Sequence, residues 1–202
     1  QGWLRDVIRE SGLQVDAALR EVAARLPSVP SGSMPVLVVG AYAAPHRMPV
    51  SVPVDSGVGL FDGSGAVPVQ LGSDAHATFV ADCGGLGYRT YFARESDSGG
   101  DAVTESLTGD VRYTNQHYSL TVRPDCTVGS LLASGGTDVL GGEGNAWLYR
   151  EGNRDILPEL CWASVTRGPV FDSVESEATL GPAVVRSILT FYHELPWFDV
   201  RA

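Results

Sequence analysis

The sequence contains no lysine. All 14 of its basic residues are arginine, and they face 24 acidic residues for a formal net charge of −10. Such a surface repels phosphate backbones, which excludes direct nucleic-acid binding and makes a basic protein the natural partner. Genome composition accounts for the missing lysine, because GC-rich coding replaces it with arginine and the wealth of Ala, Gly, Val and Asp agrees. Selection against lysine modification in a host cytosol is the alternative. Cysteine is scarce too. Cys83, Cys126 and Cys161 are odd in number, far apart and without a CxxC pair, which argues against a zinc knuckle or a disulfide framework. Reduced thiols in a cytoplasmic protein are expected. His46, His76, His117 and His193 lack metal-ligand spacing, so no metal or other cofactor is expected. No apolar run approaches a membrane span and no secretory apolar region opens the chain, so no membrane partner is expected either.

What is present is an ordinary globular balance, 44% hydrophobic and 19% charged, enough apolar material for a core. Val15, Leu19, Val22 and Leu26 recur at four, three and four residues, one stripe of a helix that Pro27 and Pro30 end. From Met34 the texture turns to β. Pro35–Gly40 is a short apolar run suited to a buried strand, whereas Pro53 demotes Val50–Val54 to an edge. Thr78–Ala81, Tyr88–Phe92, Tyr118–Val122, Ala146–Tyr149 and Leu160–Val165 read as further strands. Asp62-Gly-Ser-Gly65 and Glu151-Gly-Asn153 are turn signals. The Ser/Gly/Asp-rich stretch 95–110 reads as an exposed loop. Gly181-Pro182 reads as a helix start, with Val184, Val185, Ile188, Leu189 and Tyr192 forming one apolar face. Pro196 ends that helix, and Trp197–Arg201 is a closing strand. The expected fold is therefore α+β: a mixed or antiparallel sheet with an N-terminal helix, and a C-terminal helix followed by the closing strand. We expect a single domain over 1–202, its finer division being a helical arm at 1–32 and sub-domains at 33–110 and 111–202.

No catalytic signature is complete. Ser56-Gly-Val-Gly59 and Ser134-Gly-Gly136 lack the GxSxG frame, and Gly57-Val-Gly59 lacks a third glycine and a following helix. Cys83 with His117 could form a nucleophile pair for a hydrolase or transferase, against the commoner reading of a buried thiol beside a glycine turn. The series Gly84, Gly85, Gly87 fits a close approach of two backbones better than a ligand loop. Trp147, Trp162 and Trp197 read as core or half-core rather than a carbohydrate platform. Two acidic tracts remain. Asp97, Asp101 and Glu105 lie in the polar stretch, and Asp172, Glu175 and Glu177 precede the last helix. Each is a candidate acceptor for a partner's Arg or Lys, against the bland reading of a solvated surface. Glu175 and Glu177, two apart, would point the same way from a strand.

The ending carries a resemblance. Phe171-Asp-Ser-Val, then Leu180-Gly-Pro182, then Ala183–Phe191 and Pro196 before Trp197-Phe-Asp-Val-Arg201, resembles the small α+β immunity proteins encoded beside polymorphic toxins, deaminase toxins included, in actinobacteria. The tryptophan directly after the proline departs from that pattern. Upstream, Val54–Asp62 and Cys83–Phe92 look like an uncharacterised bacterial family and imply fold only. The resemblance implies a non-enzymatic antitoxin that occludes the active cleft of a cationic, nucleic-acid-targeting toxin domain, its cognate partner. A cysteine-dependent enzyme using Cys83 and His117, and a β-rich structural or virion assembly protein, are the alternatives.

Overall fold

The computed structural model describes residues 15–22, 24–25, 29–40, 42–54, 57–72, 75–96 and 100–202. Strand accounts for 59% of the described residues and helix for 5%, which overturns the α+β expectation. The helix that is described runs over residues 15–22 and closes with the Arg25 amide on the Val22 carbonyl at 3.0 Å. Among the described residues no helix is long and apolar enough to cross a membrane.

The strands of the first half are β1 (Met34–Gly40), β2 (His46–Pro53), β3 (Val58–Asp62), β4 (Gly65–Val67), β5 (Gln70–Leu71), β6 (His76–Cys83), β7 (Gly87–Glu95) and β8 (Gly100–Asp101). They form two sheets, ordered β1-β7-β3-β4 and β2-β6-β5-β8, antiparallel except for the β5–β8 pair. Val36, Val38, Leu60, Phe79, Ala81, Tyr91 and Ala93 fill the space between them, as period-two alternation from two facing sheets requires. The apolar run at 35–40 is an edge strand rather than a buried one: Val36 and Val38 face the core while Val39 is 43% exposed. Pro49 and Pro53 sit on β2, also an edge, where a missing N–H is tolerated.

The second half comprises β9 (Val103–Ser106), β10 (Val111–Thr114), β11 (Tyr118–Val122), β12 (Val128–Ala133), β13 (Tyr149–Glu151), β14 (Arg154–Ile156), β15 (Glu159–Arg167), β16 (Phe171–Leu180), β17 (Ala183–Tyr192) and β18 (Phe198–Arg201). A five-stranded sheet, β18-β17-β16-β15-β9, faces the sheet β10-β11-β12 across a second core of Leu120, Val122, Val165, Val174, Leu189 and Phe191. Tyr113 stacks on Phe191 within it, with centroids 4.2 Å apart.

The expected C-terminal helix is β17. Its residues pair with β16 without a break from Leu180↔Ala183 to Phe171↔Tyr192. Ser187, Leu189 and Phe191 point inward, so the functional period is two. Gly181, at φ +59°, and Pro182 are a two-residue hairpin loop with glycine at the first central position, the II′ pattern. A β-carbon on Gly181 would stand 2.6 Å from Cδ1 of Tyr149. The stretch read as a loop also contains two strands, β8 and β9, the latter exposed along its whole length. Ala146–Leu148, in contrast, is not strand.

Candidate functional site

The two cores meet along a seam, and its key is Gln70. This side chain, 2% exposed, directs Oε1 at the amides of Val170 and Phe171, 3.2 and 3.0 Å away, where β16 begins. Buried amide groups need such partners. Gly168 leaves the space that the Gln70 carboxamide occupies, and Gly100 leaves space for the Pro169 ring, whose Cγ would lie 2.7 Å from an added β-carbon. Arg47 on β2 closes the seam by ion pairing with Glu194.

Three adjoining basins run along this junction. The first, about 440 Å3, holds Arg89, whose guanidinium is forked between Asp62 at 2.7 Å and Asp82 at 3.3 Å. The Tyr91 hydroxyl there accepts the Asp82 amide at 3.0 Å. The Ser64 amide, the Arg89 guanidinium and the Gly65 amide hold the Asp62 carboxyl below its usual range against the opposing effect of burial. The second basin, about 460 Å3, shares Arg47, Asp82 and Glu194 with the first and adds His46, Gln116 and His117. The third, about 320 Å3, shares His117, Pro196 and Trp197 with the second and is walled by Tyr118, Leu131 and Phe198. Asn115 fixes this end. Its Nδ2 donates to the Tyr192 and Leu195 carbonyls, while Oδ1 accepts the His117 and Tyr118 amides. Trp197 is 40% exposed and Trp162 is 38% exposed, so of the core or half-core placements expected for them neither takes the core one.

The acidic candidates do not gather on this seam as a set. Asp97 lies outside the described residues. Asp101 ends β8 and is exposed. Glu105 on β9 is ion-paired with Arg167. Asp172 accepts the Gly168 amide at 3.2 Å and faces His193 Nε2 at 3.4 Å, and its carboxylate holds that imidazole's pKa above the ordinary value. Glu175 accepts Arg186 Nε at 2.6 Å. Glu177 shares the outer face of β16 with Glu175 and lies in register with Trp162 and Arg186. Three of the five described carboxylates therefore already have a cationic or imidazole partner within the chain.

Cys83 and His117 do not converge. Cys83 ends β6, 3% exposed, in register with His46, and burial pushes its thiol pKa up, away from the thiolate a nucleophile needs. It borders a small pocket of about 160 Å3 with Gly84–Gly87, while His117 borders the seam basins. The glycines there do allow a close approach: a β-carbon on Gly40 would stand 2.5 Å from the Gly85 carbonyl oxygen. Among the described residues no group of three or more His, Cys, Asp or Glu is placed to hold a metal ion. The seam itself escaped the sequence reading because its members stand far apart in the chain, Arg47 from Glu194 and Gln70 from Val170. Compared with known proteins, the chain matches no protein-family model and no curated sequence.

Proposed function

We propose that this chain is a non-enzymatic, β-rich assembly subunit that works as an oligomer joined through its N-terminal helices. The observation that carries this reading is the helix at 15–22. Val15 is 58% exposed and Val22 36% exposed, with Leu19 between them partly buried, so two of the three described stripe residues are open to solvent. Isolated helices of this length are marginal in water, and their stability comes from packing a face against something else. The four-three-four spacing of Val15, Leu19, Val22 and Leu26 is the seam of helices that pair with their own kind. Asp16–Arg20 and Glu21–Arg25 pair along the helix at 3.3 and 2.5 Å, off that stripe. A second copy is thus the occupant that fits. Cys83, Cys126 and Cys161 are all free thiols, which supports a reducing, cytoplasmic setting.

Sedimentation equilibrium of the full chain at micromolar concentration tests this. A defined oligomer is expected, and Leu19→Asp is expected to convert it to a monomer with an unchanged β-sheet spectrum. A wild-type monomer would sink the proposal.

The antitoxin reading stands second. It is favoured by the net charge of −10 together with Asp101 and Glu177, which carry no ion pair among the described residues. Its partner would be a cationic toxin domain, not a nucleic acid or a membrane. Protection of cells expressing a neighbouring lethal gene would favour it over assembly.

A further inference from the structure

We propose that the seam between the two sandwiches is a binding trough for a neutral oligosaccharide. This inference is independent of the oligomeric state. Four observations point to it.

The three basins share lining residues in sequence, so they form one trough rather than separate pits. Its far end is a partly exposed indole, Trp197, beside Phe198 and Pro196. A flat aromatic face accepts the C–H face of a pyranose ring, burying apolar area while leaving the ring's hydroxyls free.

The middle is lined by polar side chains, His46, Gln116 and His117. A carboxamide and imidazoles offer both donor and acceptor atoms to sugar hydroxyls.

The near end is rich in charge but already compensated. Arg89 is held by Asp62 and Asp82, and Arg47 by Glu194. An anionic ligand meets three carboxylates and a cationic ligand meets two guanidinium groups, so each is partly repelled by like charge. A neutral polyol meets neither repulsion. Carboxylates have spare lone pairs and guanidinium groups spare N–H bonds, planar groups that match neighbouring hydroxyls.

A peptide is the less suitable occupant. Extended peptides add to open sheet edges through backbone bonds, and β2, the edge that carries His46 and Arg47, is interrupted by Pro49 and Pro53.

Saturation-transfer NMR on the full chain tests the proposal with cellotetraose, maltotetraose and chitotetraose as neutral probes. A heparin tetrasaccharide and a proline-rich decapeptide are the competitors of other chemistry. At least one neutral probe is expected to bind below about 10 mM. Trp197→Ala should weaken it by about tenfold or more, and Gln116→Ala should weaken it less. Trp162→Ala, outside the trough, should leave it unchanged. Any of three results overturns the proposal: no neutral probe binding in that range, binding that survives both Trp197→Ala and Gln116→Ala, or binding only of the heparin fragment or the peptide.

Discussion

Gln70 and Phe171 stand 101 positions apart in the chain, yet the carboxamide oxygen of one accepts the amide of the other at 3.0 Å inside the protein. The same oxygen serves Val170, so one side chain satisfies two backbone donors, one buried and one partly buried, at the point where the two cores touch.

Removing it strands both donors. Gln70→Ala is expected to destabilise the fold by roughly 2–4 kcal/mol, the loss of partners for one buried amide and one partly buried amide, the second costing less than the first. Gly168→Ala should also be destabilising, because its new methyl group collides with the Gln70 amide. The two effects are expected not to add, since Gln70→Ala removes the group that Gly168→Ala strikes. Urea unfolding of the two single variants and the double variant measures this. Additive losses would mean that Gly168 is constrained by something else.

The hairpin loop at Gly181 offers a cleaner backbone test. Gly181→Ala places a side chain at positive φ and against the Tyr149 ring, so a loss of about 1–3 kcal/mol is expected. Pro182→Ala, in the same loop, should cost much less. Equal losses at the two positions would argue against this loop geometry.

His193 gives the fold a pH signature. Hydrogen bonding to Asp172 raises its pKa above the ordinary 6.5 despite partial burial. A raised folded-state value means that the stabilisation is complete below the unfolded value and fades as pH rises through the folded one. The melting-temperature difference between wild type and Asp172→Asn should therefore be largest near pH 5.5 and shrink toward about pH 9. A difference that grows with pH would overturn the assignment.

The thiols should label in order. Cys161 is exposed, whereas Cys83 and Cys126 are buried, and burial pushes the Cys126 thiol up to about 11. In native protein one equivalent of a maleimide is expected to react, at Cys161, and the other two only on unfolding. Rapid native labelling of Cys83 would reopen the enzyme reading.

The strands that the sequence revealed are those with one face buried. Thr78–Ala81, Tyr88–Phe92 and Tyr118–Val122 alternate because their sheets have an inside and an outside. Residues 181–192 misled because Val184, Val185, Ile188, Leu189 and Tyr192 satisfy a helical face while Ser187, a small polar residue, hides the inward row that also holds Leu189 and Phe191. The β-branched and aromatic content of that stretch, and Gly-Pro as a two-residue loop, were the signals for strand. Strand β9 left no trace, since Val103, Thr104, Glu105 and Ser106 are all exposed and pair through backbone alone. The Asp62-Gly-Ser-Gly65 turn was legible, but not that Asp62 also holds Arg89. A seam assembled from both ends of a chain has no local pattern to read.

The segment between the helix and β1 has a consequence for reach. The nine residues 25–33 include Pro27 and Pro30, and nine residues fully extended span about 30 Å at most. Copies joined by their helices would hold their sandwiches on short tethers, close enough for each to crowd its neighbour. Any ligand bound by one seam would then meet the next at high local concentration, so that a weak site repeated on a common stalk could grip a repetitive surface firmly.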